Sequence, residues 1–388
     1  MSVFETSVQV FLAPVLPYLK DDSVTEVMIN GPFNIFIERG GCVEKVATKF
    51  EDEASLMAAV RNISQFVGRP IDDEHPFLDA RLPDGSRIHA VVAPIARNGT
   101  TVCIRKFSKV QLSLKDLINK GALTPDAARF LDVCLYLKKN IMISGGTGSG
   151  KTTILGIIAS RCQPDQRIVV LEDSAELKIY NNHVVFFEGR PANEFGKGQV
   201  TLRDLVKSSL RLRPDRVIVG EVRSGEALDL ISSMNTGHSG SMGTVHSNNP
   251  RECLTRLETL ALMTDAEVPV QAVRAQVASA INIVIQLSRM QDGSRKLTHI
   301  SEGIGMDLQG NYMTNDIYLF EQTGRDKEGK VLGTLNATGN LPTFMREIEV
   351  NHLPFPKEMF QRKAVPAAKP PQSGTGTPSG GTPTPHAA

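Results

Sequence analysis

Hydrophobic and polar residues alternate along residues 24–46 in the pattern typical of β-strands with one buried face. Ile35 and Ile37 fall on the same face of such a strand. A Gly40-Gly41 pair interrupts the alternation and predicts a turn. This segment therefore predicts strands joined by a tight connection.

The pattern changes to helical spacing in residues 51–68, which predicts an amphipathic helix. Pro83-Asp84-Gly85 then separates two strand-like runs, as in a β-hairpin, and residues 100–107 have the composition of a last strand. Together these elements predict a small α+β domain over residues 1–107. The apolar face of its helix comprises Leu56, Val60, Ile63 and Val67.

Residues 108–121 are polar and predict a linker with one helical turn. From residue 122 onward, apolar strands (IMIS, RIVVLE, RVIVGE) alternate with helical stretches, which predicts an α/β domain with a largely parallel sheet and crossover helices. We place this larger domain at residues 122–360. Residues 361–388 are rich in Pro, Gly, Ser and Thr and predict a disordered tail.

Composition narrows the classes of function. The 43 Lys and Arg residues nearly balance the 42 Asp and Glu residues, which argues against bulk nucleic-acid binding. The five cysteines form no CxxC pair, so no zinc ribbon or disulfide framework is predicted. The first 20 residues do not resemble a signal peptide, and no apolar run reaches about 18–20 residues. We therefore expect a cytoplasmic protein that reaches a membrane only through a partner.

The segment GGTGSGKTT matches the phosphate-binding pattern G-x4-G-K-[ST] and lies between a predicted strand and a predicted helix. Backbone N–H groups and the positive end of the helix would surround the phosphates of ATP. Lys151 would reach the β- and γ-phosphates, and Thr152 would hold Mg²⁺. The candidate nucleotide-binding residues are Gly145, Gly146, Thr147, Gly148, Ser149, Gly150, Lys151, Thr152 and Thr153.

Two predicted strands end in acids, where ligands bind in open α/β sheets. One ends in Glu172 and Asp173, and the other ends in Gly220-Glu221, without the Asp that many ATPases carry before this Glu. We interpret Glu221 as the base that orients the attacking water and Glu172 as a compensating acid near Mg²⁺. The alternative for Glu172 and Asp173 is that they cap a helix. Ser174, Glu176 and Leu177 are assigned a turn and no chemistry.

Two histidines, His238 and His246, stand among small residues in TGHSGSMGTVHSN. Small neighbours let the backbone approach a ligand, so both are candidates for contact with the nucleotide, and His246 would sense the γ-phosphate. No Cys or third His lies at zinc-ligand spacing. Packed loop histidines are the alternative interpretation.

Four motifs now stand in order: GGTGSGKTT, VLEDSAEL, VIVGEVR and TGHSGSMGTVHS. They resemble the P-loop, Asp box, atypical Walker B motif and His box of the secretion ATPase superfamily, which comprises motors of type II and type IV secretion and of type IV pili. Residues 23–41, 79–92 and 203–260 are most similar to the tight-adherence (Tad/Flp) pilus branch. The resemblance covers about residues 17–306.

The resemblance implies a RecA-like ATPase domain with a smaller N-terminal domain, a homo-hexamer, and arginines that reach the phosphates from the N-terminal domain. Arg105 matches one such position, whereas the family spacing puts the second near Ala90. Arg87 is the substitute, with Arg81 behind it, and a solvated surface arginine is the alternative for both. Arg213 and Arg223 either contact a neighbouring subunit or pair with a nearby acid such as Glu226.

Three functions are compatible with these residues. The first is a hexameric motor that uses ATP hydrolysis to act on an inner-membrane platform protein, in Tad/Flp-type pilus assembly or type II/IV-like secretion, without contacting nucleic acid directly. The second is the DNA translocase of a conjugation-type system, which the balanced charge and the 5% aromatic content disfavour. The third is a ring scaffold that does not hydrolyse ATP.

Overall fold

The structure is a computed structural model that describes residues 3–107, 112–193, 196–264 and 267–362. The first residues of the predicted linker, 108–111, lie outside this description. So does nearly all of the predicted tail, from residue 363 onward.

The N-terminal part is a six-stranded antiparallel sheet with helices packed on one face. The strand order is β3-β2-β1-β6-β5-β4. Alternate residues of each central strand enter the core, as the hydrophobic pattern predicted. The elements are α1 (Val3–Phe11), α2 (Leu16–Lys20), β1 (Val24–Asn30), β2 (Ile35–Arg39), β3 (Cys42–Val46), α3 (Glu53–Val67), β4 (Phe77–Arg81), β5 (Arg87–Val91) and β6 (Thr101–Arg105).

Helix α3 shows how local sequence fixes an element. Asp52 caps its first turn by accepting a hydrogen bond from the Ser55 backbone N–H at 2.7 Å, and Gly68 ends it in the left-handed region at φ +65°. Its predicted apolar face is confirmed, because Leu56, Val60 and Ile63 are fully buried and Val67 packs at the edge of the core. Burial of each such side chain stabilises the fold by about 1.5–3 kcal/mol.

The C-terminal part is larger and begins with a helix in the predicted linker. This helix, α4, is capped by Ser113, and its Leu117 is buried in the core of the C-terminal part. The remaining helices are α5 (Pro125–Tyr136), α6 (Lys151–Ala159), α7 (Leu202–Ser209), α8 (Glu226–Asn235), α9 (Pro250–Ala261), α10 (Val270–Ala280) and α11 (Met345–Val350), with α4 at Leu114–Asn119 and two 3-10 turns at Leu210–Leu212 and Lys357–Phe360.

A nine-stranded sheet organises this part, in the order β15-β14-β13-β12-β7-β11-β10-β8-β9. The strands from β12 to β9 in that order are parallel, whereas β12 to β15 form an antiparallel meander. The sheet was predicted to be largely parallel, and the structure shows a mixed sheet whose β12–β15 side is antiparallel. Its strands are β7 (Ile141–Gly145), β8 (Ile168–Glu172), β9 (Val184–Glu188), β10 (Arg216–Val219), β11 (Met242–Val245), β12 (Ile283–Arg289), β13 (Arg295–Met306), β14 (Tyr312–Arg325) and β15 (Val331–Ala337).

The central parallel strands are buried on both faces. In β7, Ile141 and Ile143 enter one hydrophobic core, while Met142 between them enters the core on the opposite face. Continuous apolar runs are the expected signature of such strands. This burial fixes the backbone at the carboxyl ends of the strands, where the candidate site lies. Within the described ranges, no helix is both long and apolar enough to span a membrane.

Candidate nucleotide-binding site

The phosphate-binding loop connects β7 to α6, as predicted from its sequence. Gly148 and Gly150 adopt left-handed backbone conformations, at φ +68° and +95°. A side chain at Gly145 would place its Cβ 2.6 Å from the carbonyl oxygen of Leu287 on the neighbouring strand. Glycine is therefore required at these positions, both for the turn and for the close approach of β12.

Lys151 begins α6 and is nearly buried. Its Nζ donates hydrogen bonds to the carbonyl oxygens of Gly145 and Gly146, both at 3.0 Å. Burial lowers the pKa of Lys151; Glu221 opposes this shift, whereas Arg105 and Arg223 add to it. The ammonium group thus lies inside the loop, where phosphate oxygens would be bound.

Glu172 ends β8 and fills the space beside Gly220. Its Oε1 accepts hydrogen bonds from the backbone N–H groups of Glu176 and Leu177, both at 2.9 Å. A Cβ at Gly220 would lie 2.9 Å from the Cγ of Glu172. The Glu172 side chain therefore occupies the space that an Asp at position 220 would need. Burial raises the pKa of this carboxyl above its ordinary value, despite the two N–H donors.

Glu221 and His246 follow adjacent parallel strands, β10 and β11, and meet at the edge of the sheet. His246 Nε2 lies 2.8 Å from Glu221 Oε1, and Arg223 donates to Glu221 Oε2 at 2.6 Å. Burial acts to raise the pKa of Glu221, but Arg223, His246 and Lys151 together lower it. Glu221 is therefore held as a carboxylate, the form that a base requires.

His246 also lies close to Lys151, with Nζ 3.4 Å from Nδ1 and 3.3 Å from Nε2. Burial and the Lys151 charge lower the pKa of His246, and Glu221 opposes the shift. A neutral ring that carries its proton on Nε2 donates to Glu221 and leaves Nδ1 to accept from Lys151. Lys151, His246 and Glu221 thus form one chain of contacts from the phosphate loop to the carboxylate.

Arginines from the N-terminal sheet face this group. Arg81, Arg87 and Arg105 are cross-strand neighbours in β4, β5 and β6, so they form one row. Arg87 Nη1 lies 3.2 Å from Glu176 Oε1, and Arg105 Nη1 lies 3.8 Å from the same oxygen. Ala90, the position that the family spacing suggested, is fully buried in the N-terminal core and cannot reach the site.

Arg81 makes different contacts from the other two. Its Nη2 donates to Ser174 Oγ at 2.9 Å, to the Ala175 carbonyl at 3.2 Å and to Glu188 Oε1 at 2.9 Å. Arg87 and Arg105 line the cleft that contains Lys151, and Arg81 lies outside it. All three arginines thus contact the C-terminal part, but only Arg87 and Arg105 face the cleft.

The cleft combines both parts of the chain. Several lining residues were not assigned to the site from the sequence: Asp173, Ser174, Glu176, Gly220 and Arg223. Their position at the carboxyl ends of parallel strands was the available signal. The predicted residues among the lining are Arg87, Arg105, Thr147, Gly148, Gly150, Lys151, Thr152, Thr153, Glu172, Glu221 and His246.

Two of the sequence-based candidates lie elsewhere. His238 precedes β11 and His246 follows it, so the two histidines lie at opposite ends of this strand. His238 does not line the cleft, so its contact with the nucleotide stays a prediction that this arrangement does not support. Arg213 likewise precedes β10, at φ +54°, whereas Arg223 pairs with Glu221 across the end of that strand.

The oxygen donors of the cleft fit a Mg²⁺ ion that binds together with a nucleotide. Within the described part of the chain, no cluster of three His, Cys, Asp or Glu side chains could hold a metal by itself. Mg²⁺ in phosphate-transfer sites needs only one or two protein ligands, because phosphate oxygens and waters complete its shell. Thr152 and the Glu172 carboxylate line the same cleft and supply oxygen donors.

Fold and site together define a P-loop protein of the α/β class, with a RecA-like domain and a smaller α+β domain. Residues 9–327 match the family described as type II/IV secretion system protein. The chain therefore belongs to that family, and the predicted superfamily is confirmed.

Individual relatives agree with this assignment. A putative conjugal transfer protein of Mycobacterium tuberculosis (strain CDC 1551 / Oshkosh) is 35% identical over 291 residues, which are 74% of this chain and 82% of that protein. The type IV secretion system protein VirB11 of Brucella suis is 33% identical over 327 residues, or 76% and 89% of the two chains. The Legionella pneumophila ATPase DotB shares the fold, with a TM-score of 0.53 at 20% identity over 74% of this chain and 79% of that one.

Proposed function

We propose that the protein is a Mg²⁺-dependent ATP hydrolase that couples hydrolysis to the opening and closing of its two parts. The observation that carries this proposal is that Arg87 and Arg105, from the N-terminal sheet, line one cleft with Lys151 and Glu221. A ligand that binds both groups favours one arrangement of the two parts over another, which is the requirement for a motor.

The chemistry is assigned to residues of the cleft. The loop N–H groups and Lys151 would bind the β- and γ-phosphates. Thr152 and Glu172 would hold Mg²⁺, which would neutralise charge on the phosphate oxygens. Glu221 orients the attacking water. His246 contacts both Lys151 and Glu221, so a γ-phosphate bound by Lys151 would change the hydrogen bonding of Glu221 through this ring.

Glu176 gives the arginines an alternative partner. Arg87 and Arg105 both approach its Oε1, so phosphate oxygens compete with this carboxylate for the two guanidinium groups. Transfer of the arginines from Glu176 to the nucleotide would move the N-terminal sheet relative to the phosphate loop. The resulting cationic contact stabilises the charge that develops during phosphoryl transfer.

The machine that we propose is a homo-hexamer in the cytoplasm that acts on an inner-membrane platform protein. Its role would be Tad/Flp-type pilus assembly, with retraction left open, or type II/IV-like secretion. The resemblance of residues 23–41, 79–92 and 203–260 to the pilus branch supports the first role. A conjugation-type DNA translocase is the second candidate, because the Mycobacterium tuberculosis relative carries a conjugal-transfer name.

Steady-state ATP hydrolysis with native mass measurement tests this function, on wild type and Glu221→Gln, with and without single-stranded DNA. We expect hydrolysis by a hexamer, loss of kcat by about 10²-fold or more in Glu221→Gln with ADP affinity retained, and no effect of DNA. Gln keeps the shape of the side chain but cannot act as a base.

Each other outcome removes a defined part of the proposal. Wild-type turnover in Glu221→Gln would exclude Glu221 as the catalytic base. Strong stimulation by DNA would favour the translocase. A hexamer without hydrolysis would favour the ring scaffold.

A further inference from the structure

The hairpin between β12 and β13 lies beside the phosphate loop on the side away from the cleft. Leu287 pairs with Gly145 in the parallel register of β12 and β7, so the end of β12 runs along the start of the loop. Arg289 and Arg295 then face each other across the hairpin as a cross-strand pair. Like charges directly opposite are destabilising unless each has its own partner.

Arg295 has its partner in the phosphate loop. Its Nε donates to the Gly148 carbonyl at 2.7 Å, and its Cδ would lie 3.4 Å from a Cβ at Gly150. The carbonyl of Gly148 and the N–H of Ser149 belong to one trans peptide and point in opposite directions. A carbonyl that is held outward by Arg295 therefore turns the Ser149 N–H toward the interior of the loop. There that N–H makes a long bond of 3.4 Å to the Gly146 carbonyl.

Arg289 has its partners in the N-terminal part. Its Nη2 bonds Glu38 Oε1 at 3.1 Å and the carbonyl of Gly41 at the turn between β2 and β3. Its Nη1 would lie 3.6 Å from a Cβ at Gly148. The side chain thus touches the outer surface of the phosphate loop while it binds the neighbouring part of the chain.

We propose that Arg295 is a positioning residue that sets the Gly148–Ser149 peptide for phosphate binding, and that Arg289 ties this support to the N-terminal sheet through Glu38. The inference rests on the proposed nucleotide binding and deepens it. It adds a contact between the two parts on the opposite side of the loop from Arg87 and Arg105. The phosphate loop is then supported from a part of the chain that moves during the cycle.

The test is calorimetric titration of the full-length protein with ADP, followed by kcat and KM for ATP. Arg295→Ala is expected to weaken ADP binding about tenfold, because one charge-assisted hydrogen bond that orders the loop is lost. KM should rise in parallel and kcat should stay within about twofold, since the loop binds ground state and transition state alike. Arg295→Lys should restore part of the affinity, because an ammonium group can still donate to the Gly148 carbonyl.

Arg129→Ala is the matched control. Arg129 lies on α5 and, like Arg295, donates to a backbone carbonyl, but its acceptor is Pro354, at 2.8 Å, and it does not line the cleft. ADP affinity within twofold of wild type in Arg295→Ala would overturn the inference. A fall in kcat without a change in KM would overturn it too, since that result marks a catalytic contact. Failure of wild type to bind ADP would instead overturn the proposed function.

The contact between Arg289 and Glu38 is tested separately, by ADP affinity in single and double variants. Arg289→Ala and Glu38→Gln should each weaken ADP binding about threefold, and the double variant should be no weaker than Arg289→Ala alone, because both changes remove the same interaction. Additive effects, or no effect of either change, would show that Arg289 does not connect the loop to Glu38.

Discussion

The two halves of the cleft are built differently. Glu221 follows the fully buried strand β10, and Lys151 begins the helix that comes after the fully buried strand β7. The Glu221 side chain is only 24% exposed. Arg87 and Arg105 project from an antiparallel sheet with side chains 40% and 61% exposed, and they share one carboxylate. The first half is fixed before any ligand arrives, whereas the second can change partners at little cost. A cleft of this kind separates binding, which needs order, from closure, which needs mobility.

The largest expected effect comes from the fixed half. Lys151→Ala should weaken ATP and ADP binding by about 10²-fold or more, because it removes a nearly buried cation from the centre of the phosphate loop. Equilibrium titration measures this loss. Lys330→Ala, which removes an exposed lysine that pairs with Glu328, is the control and should bind normally. Near-normal ADP affinity in Lys151→Ala would place the phosphates outside this loop.

Substitution of the arginines from the N-terminal sheet should affect turnover more than binding. Arg105→Ala and Arg87→Ala should each lower kcat by about tenfold to 10²-fold with a smaller change in ADP affinity, because their contact to the phosphates forms on closure. Arg81→Ala should lower kcat less, since Arg81 does not line the cleft and its guanidinium is held by Ser174 and Glu188.

Arg39→Ala, which removes a surface arginine that pairs with Asp21, is the control for these three variants. Normal kcat in Arg105→Ala would show that this arginine does not take part in closure. A larger effect of Arg81→Ala than of Arg87→Ala would reverse the assignment of the two positions.

The smallest effect concerns pH. The pKa of His246 is lowered from its ordinary value of 6.5, so the ring is neutral at pH 7 and protonates only at lower pH. We expect kcat to fall as pH decreases, with a midpoint below 6.5, because a charged ring would repel Lys151. His246→Gln should lose this acid limb. A midpoint above the ordinary value would show that Glu221, which favours the charged ring, outweighs burial and Lys151.

Much of the fold could be predicted from local patterns. Helix α3, the hairpin at residues 83–85 and the phosphate loop each carry their signal within about 20 residues, in caps, turn residues and glycines. The meander from β13 to β15 was not assigned, because its strands are only partly buried and lack the continuous apolar runs of β7 or β8. Helix α1 was also missed, although Val8 and Leu12 are buried.

The candidate site was harder to predict where it depends on register or on distant contacts. Arg87 and Glu176 are 89 positions apart, and only the fold brings them together. The row formed by Arg81, Arg87 and Arg105 exists because three strands align, which the sequence does not show directly. Proximity in sequence does not imply proximity in the fold either, since His238 and His246 lie at opposite ends of β11.

The turn between β4 and β5 lies on the surface, yet it determines where Arg87 points. Asp84 accepts bonds from the backbone N–H and the hydroxyl of Ser86, both at 2.9 Å, and this closes the turn at one length. Because side chains alternate along a strand, one inserted residue would send Arg87 toward the core and Ile88 toward the cleft. Natural variation in the length of this turn should therefore be as rare as substitution of the arginine itself, even though loops elsewhere on the surface tolerate insertions.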